Sequence, residues 1–221
     1  MNFDERTSPG SPTSHGTPVV FVVDDDVSVR ESLELLIRCA GWHPETFASA
    51  QEFLSRPPDD TPSCLLLDIE LPDLNGLELQ ERVAVDRNEM PIIVITGHGD
   101  IPKTVRAMKA GAIEFLTKPF ADDVLLQAIQ RAIAHSREAL GQAGELKRLR
   151  ERYASLTRRE RDVMTRVVAG LANKEVAAEL GRSEITIKAH RGKVMQKMQA
   201  ASLADLVRMA ARLSPAPAPK A

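Results

Sequence analysis

Five residues from Val19 to Val23 are apolar without a break, and three aspartates, Asp24, Asp25 and Asp26, follow at once. An unbroken run of β-formers predicts a strand covered on both faces, as in parallel sheets. Beyond the aspartates the period changes, and Val29, Leu33, Leu36, Ile37 and Ala40 fall on one helical face. "HPETFA" and "CLLLD" read as two more strands, with a short helix around Gln51 to Leu54 between them. "LELQERVAV", "MPIIVIT", "IPKTVRAMKA", "AIEFLTK" and "DDVLLQAIQRAI" continue the alternation. Strand and helix therefore take turns about five times, the pattern of a doubly wound α/β domain.

The pattern then becomes purely helical. Thr157 with Glu160 has the spacing of a capping box, ahead of an apolar face of Val163, Met164, Val167 and Val168. Asn173 is read as the cap of a short helix carrying Val176, Ala177 and Leu180; Gly181 turns the chain and Ser183 starts the next helix. Two helices around a tight turn predict helix-turn-helix geometry. In the later helix Ile187, Val194 and Met198 form the inner side, while Thr186, Lys188, Ala189, Gly192, Lys193 and Gln196 lie largely opposite, where a major groove would receive them. Arg191 is within reach of a phosphate, and His190 reads as a packing or phosphate-contacting residue. "LADLVRMA", from Leu203 to Ala210, makes a fourth packing helix. Between the two parts, "SREALGQAGELKRLRERYA" reads as a hinge or short coiled extension interrupted by Gly141 and Gly144.

Charge sharpens this division. From Pro18 to Arg137, 11 Lys and Arg stand against 20 Asp and Glu, a net of −9; from Leu156 to Arg212, 12 stand against 6, a net of +6. An acidic first part and a basic second part imply different partners, with nucleic acid fitting the basic one. Residues 1–17 are rich in Ser, Pro and Gly, lack the apolar core of a signal peptide, and are predicted to be a disordered tail, as are residues 213–221. No apolar run is long enough to cross a membrane, so a cytoplasmic place is expected. Cys39 and Cys64 lack metal-ligand spacing and read as reduced packing residues.

The alternation places Asp24 and Asp25, Asp68, Thr96 and Lys118 at successive strand ends, where doubly wound sheets bind ligands. Two or three carboxylates gathered there can hold Mg²⁺ through oxygen ligands, and the ion offsets their repulsion. Asp68 is the candidate nucleophile for an in-line attack on phosphorus, with the metal, the Lys118 ammonium and the Thr96 hydroxyl neutralising the equatorial oxygens. "TKPF" allows a cis proline that would aim Lys118 inward. Asp26 is explained by helix capping. "TGHGD" reads as a loop, with His98 a loop residue. An alternative is a Mg²⁺-dependent phosphohydrolase with an aspartyl nucleophile. Against it, the acidic pair precedes Asp68, Glu70 stands where a second Asp commonly acts as general acid, and no cap domain is present.

"VVDDD", "LLLDIELPDLNGLEL", "IVITGHGD" and "FLTKPF" resemble the receiver domain of bacterial two-component response regulators. "LTRRERDVM" with "GLANKEVAAELGRSEITIKAHRGKVMQKM" resembles the LuxR-type four-helix DNA-binding domain, and the whole chain is similar to the NarL/FixJ class, closest to FixJ. The resemblance implies a flavodoxin-like receiver over residues 18–137, a linker over 138–155 and a helix-turn-helix domain over 156–212. It implies that Asp68 accepts phosphate from a histidine kinase. Asp25, Asp68 and the backbone carbonyl of Glu70 would hold Mg²⁺, Asp24 would complete the acidic pocket, and Thr96 and Lys118 would sense the phosphoryl group. Thr96 and Phe115 form the expected switch, and a face bearing Val105 and Lys109 is expected to become a twofold dimer contact. Thr186, Lys188, Ala189, Arg191, Gly192 and Lys193 are the expected DNA contacts. The implied protein is a transcription regulator, not a multiple-turnover enzyme, with RNA polymerase a further candidate partner.

Overall fold

The computed structural model describes residues 16–213, apart from 73, 75, 98–100 and the side chain of Lys103. Five strands, β1 (Val19–Val23), β2 (His43–Phe47), β3 (Ser63–Asp68), β4 (Ile92–Thr96) and β5 (Glu114–Thr117), form one parallel sheet in the order β2-β1-β3-β4-β5. Between them run α1 (Val27–Cys39), α2 (Ala50–Ser55), α3 (Gly76–Asp86) and α4 (Ile101–Lys109), and α5 (Asp122–Ala154) follows the last strand. The expected doubly wound, flavodoxin-like architecture is the one observed.

The period of two along each strand accounts for both cores. Val19, Phe21, Val23, Leu65, Leu67 and Val94 face one side and pack with Phe53, Leu79, Val83 and Ala107. Val20, Val22, Leu66, Ile93 and Ile95 face the other and pack with Leu33, Ile37, Leu125, Ile129 and Ile133. The inner strands β1, β3 and β4 thus need apolar residues on both faces, which is why their cores read as apolar runs, while the edge strands β2 and β5 do not.

One polar side chain interrupts the first of these cores. Gln80 of α3 is fully buried, and its Nε2 donates to the Ala107 carbonyl of α4 at 2.7 Å. That same carbonyl accepts the Ala112 N–H at 3.1 Å, where Gly111, at φ +93°, ends the helix in a left-handed turn. The last turn of α4 is consequently held by its own C-terminal motif and by α3.

The segment read as a hinge or coiled extension lies within α5, which runs on through Gly141 and Gly144. The chain divides into two compact units, Met1–Leu140 and Gly141–Ala221. In the second, α6 (Arg158–Val168), α7 (Asn173–Leu180), α8 (Glu184–Met198) and α9 (Leu203–Leu213) enclose a core that includes Leu149, Leu156, Val163, Val176, Ile187, Val194, Met198 and Leu206. The capping box of Thr157 and Glu160 is present, Gly181 turns at φ +62°, and Ser183 caps α8. Asn173, expected to cap α7, does not. Ala172 takes the cap position with extended backbone, the Glu175 carboxylate reaches back to the Ala172 N–H at 2.6 Å, and Asn173 Oδ1 instead accepts from Arg191 Nη1 at 3.1 Å.

Glu160 does more than cap. It is buried and accepts Lys197 Nζ at 2.7 Å, fastening the start of α6 to the end of α8. The Lys197 ammonium, then the Thr157 N–H, hold its carboxyl down at about 2, below the ordinary 4.5. Because the folded value is the lower one, this stabilisation is complete above pH 4.5 and is lost as the pH falls towards 2. Glu160→Gln is expected to lower stability at neutral pH by about 2 kcal/mol. It should also flatten the fall in melting temperature between pH 5 and 3 relative to wild type. Equal slopes for the two proteins across that window would show that Glu160 is not the group responsible.

Candidate functional site

Asp24 directly follows β1, Asp68 ends β3, and β1 and β3 are the neighbours at which the strand order reverses. The two carboxylates therefore meet in the crevice that this topology opens. Asp24 and Asp68 are buried while Asp25 is exposed, and one carboxylate oxygen from each lies within 4.8 Å of the others. Lys118, just past β5, crosses to this point. Its Nζ donates to Asp24 Oδ2 and to Asp68 Oδ2, at 2.6 Å in each case. The backbone fixes its approach, since the Lys118 N–H bonds the Thr96 carbonyl at 2.8 Å; the Lys118–Pro119 peptide that follows is cis.

The other bonds orient the carboxylates. Asp68 Oδ1 accepts the Glu70 N–H at 2.9 Å, and Asp24 Oδ1 accepts the Asp26 N–H at 2.9 Å. Asp26 caps α1, accepting from Ser28 and Val29 N–H as the sequence indicated. Thr96 ends β4 fully buried, one residue beyond Ile95, which pairs with Asp68 in the sheet. The electrostatics leave a shortage of positive charge. Burial pushes the Asp24 carboxyl up, against the bonds from Lys118 and Asp26, and the Asp68 charge adds to the rise. Burial opposes the Lys118 ammonium, but its bonds to Asp24 and Asp68 prevail and raise its pKa. Among the described residues Lys118 is the one cation paired with these carboxylates, and three carboxylates gathered around it make a site that gains from a divalent ion with oxygen ligands.

Two residues shape this site without having stood out in the sequence. Gly76 opens α3 with its N–H on the Ile69 carbonyl, and a Cβ there would overlap the Asp68 carbonyl oxygen and come within 2.7 Å of Ile69 Cα. The only sequence sign was a glycine at the first position of a helix. Arg30 of α1 donates from Nη1 to the Asp24 backbone carbonyl at 2.7 Å, and a half-turn of acidic chain followed by a helical arginine was its sole sign.

Elsewhere, Phe115 is half-buried against the core that holds Phe53, Leu67 and Val94. Val105 is 46% exposed on α4, in line with exposed Ile101 and Met108, and Lys109 is exposed beside them. His98, with the rest of 98–100, lies outside the described residues. On α8, Lys188, Ala189, Gly192, Lys193 and Gln196 are exposed, Thr186 and Arg191 half-buried, and Ile187, Val194 and Met198 buried. A Cβ on Gly192 would meet nothing within 4 Å, so no backbone of this chain among the described residues explains that glycine.

Comparison with known proteins decides between the two readings of the acidic site. Residues 20–130 match the response regulator receiver domain, and residues 154–210 match the luxR family of bacterial regulatory proteins. The chain belongs to the NarL/FixJ class of response regulators. It is 48% identical to nodulation protein W of Bradyrhizobium diazoefficiens over 96% of this chain and 93% of that protein. The transcriptional regulatory protein FixJ of the same organism is 43% identical over 87% of this chain and 94% of its own length. Among solved structures, response regulator StyR is 46% identical with a TM-score of 0.80, covering 89% of this chain and all of that one. Response regulators of this class regulate transcription through a receiver and a helix-turn-helix domain, and the phosphohydrolase alternative falls with that finding. A receiver implies a histidine kinase partner, and the luxR-family domain implies DNA. The acidic cluster of this response regulator fits the Mg²⁺ site typical of receivers. No helix among its described residues is long and apolar enough to cross a membrane.

Proposed function

We propose that Asp68 accepts a phosphoryl group from a histidine kinase in the cytoplasm and that the modified receiver, over residues 18–137, drives dimerisation and operator binding by the domain over 156–212. The observation that carries this is the Lys118 ammonium bridging Asp24 and Asp68 at 2.6 Å beside the Asp25 carboxylate. An Asp68 oxygen forms the new P–O bond as the donor's P–N bond breaks, and the imidazole nitrogen leaves with the electron pair. Asp25, Asp68 and the Glu70 carbonyl would hold Mg²⁺, with Asp24 completing the acidic pocket, and the ion would supply positive charge to the transferring oxygens. Lys118 and the Thr96 hydroxyl supply the rest of that charge from the protein.

Once formed, the acyl phosphate attracts Thr96, and the space it vacates lets Phe115 turn inward. The face bearing Val105 and Lys109 then forms a twofold contact between two copies. Shifting the population from 1:99 to 99:1 takes about 5.5 kcal/mol, within reach of several charge-assisted bonds to one phosphoryl group. Two basic domains so paired suit half-sites about one DNA turn apart. Lys188, Ala189, Gly192 and Lys193 face the groove, with Thr186 at the helix entry and Arg191 offering its remaining N–H groups to a phosphate. RNA polymerase is the further partner.

The test is sedimentation and operator binding with and without a small phosphodonor. The phosphorylated chain is expected to become a dimer and to bind the operator more than tenfold tighter. Val105→Asp should keep full phosphorylation yet remain monomeric, because it sets like charges across the twofold axis. Lys188→Ala should weaken binding, and if Lys188 anchors a phosphate, the slope of log affinity against log salt should fall by about one. A stable, tightly binding dimer of phosphorylated Val105→Asp would reject this face as the contact.

A further inference from the structure

Asp25 is the exposed member of the acidic cluster, and among the described residues no hydrogen bond reaches its side chain. What holds it in place is therefore its backbone, through the two peptide units on either side of it. The unit after it is fixed when the Asp26 N–H bonds Asp24 Oδ1 at 2.9 Å. The unit before it is fixed by Arg30, whose Nη1 donates to the Asp24 carbonyl at 2.7 Å. Asp24 itself is anchored to β2 through its N–H on the Phe47 carbonyl, and Asp26 is locked as the cap of α1. Among the described residues, Arg30 is thus the one side chain outside this turn that holds the peptide linking Asp24 to Asp25.

We infer that Arg30 is a positioning residue for divalent-cation binding: it fixes the Asp24–Asp25 peptide so that the Asp25 carboxylate stands ready beside Asp68. This rests on the Mg²⁺ reading of the acidic cluster proposed above. A guanidinium so close to a cation site opposes a dication by charge alone. Positioning and charge therefore make opposite demands on the same residue. If charge dominates, a neutral replacement tightens Mg²⁺ binding; if positioning dominates, it weakens binding, because a free peptide unit must be ordered each time the ion binds.

The sign is measurable by titration calorimetry of the full-length chain with Mg²⁺ alone. Arg30→Met is expected to raise the Mg²⁺ dissociation constant at least fivefold. Arg30→Lys, which keeps a donor and a charge, should recover part of that loss. Asp25→Asn serves as the reference for a lost ligand and should weaken binding by more than Arg30→Met. Thermal melting of each variant without metal separates this from unfolding: a wild-type melting temperature with weakened binding supports the positioning role. Unchanged or tighter Mg²⁺ binding by folded Arg30→Met overturns it. If Arg30→Met fails to fold, Arg30→Lys decides alone, and wild-type affinity in that variant with no loss at all counts against the role. No Mg²⁺ binding by the wild-type chain would overturn the metal reading itself.

Discussion

Asp68→Ala is expected to take up no phosphoryl group from acetyl phosphate and Mg²⁺, where the wild-type chain takes up one. The site contains three carboxylates, yet only Asp68 combines the features an in-line acceptor needs. It ends the strand at the reversal of the sheet, one oxygen is held by the Glu70 N–H, and the other by the Lys118 ammonium. Asp24 lies one residue past β1 with its side chain wholly shut off from solvent, whereas that of Asp68 keeps some exposure, and Asp25 is unsupported at the rim. Deleting the acceptor removes the covalent step outright, so the drop should exceed the thousandfold that loss of a single supporting group commonly brings. Mass spectrometry of the intact chain reads it. A stoichiometric phosphoryl adduct on the Ala variant would move the acceptor elsewhere, and operator binding of the variant should no longer respond to the donor.

Gly76→Ala is expected to damage both stability and phosphorylation, although the residue carries no chemistry. Its missing Cβ is the space in which α3 starts against Asp68 and Ile69, and all three atoms a methyl would meet belong to the backbone. None can swing aside like a flexible side chain. Relief must come from moving α3 or the end of β3, at about 2–3 kcal/mol for an overpacked site. Because that movement displaces Asp68 relative to Lys118, the rate of labelling should fall more than tenfold. Denaturant unfolding and the initial rate of labelling check the two effects. A variant with wild-type midpoint and rate would mean that the loop absorbs the methyl without shifting Asp68.

The receiver was legible because its chemistry sits where its pattern ends. The cores of β1, β3 and β4 are apolar runs that stop beside the crevice, and Lys118 directly follows β5, so Asp24, Asp68, Thr96 and Lys118 were marked by the same signal that marked the sheet. What the pattern could not carry were contacts made by backbone atoms. Arg30 acts on a carbonyl, Gly76 acts through an absent side chain, and Ala172 caps α7 with help from Glu175, so Asn173 was credited with a role its neighbour's backbone performs. Gln80 falls three residues from both Leu77 and Val83 on a buried face, yet nothing in the sequence names Ala107 as its partner. The glycines at 141 and 144 suggested a break in α5; two such residues cost about 1 kcal/mol each in a long helix, too little to end it.

The doubly bonded carbonyl of Ala107 gives α4 the mechanics of a lever. With its last turn fastened to α3 through Gln80 and to the following turn through Ala112, the fulcrum lies at the C-terminal end. From there to Ile101 the axis runs about 9 Å, so a tilt of about 10° carries Ile101 through roughly 1.6 Å while Ala107 stays in place. Val105, lying closer to the fulcrum, travels about a third as far. A force applied at the first turn of α4 is therefore converted into graded displacement along one exposed apolar row, largest at Ile101 and vanishing where the helix hands over to β5.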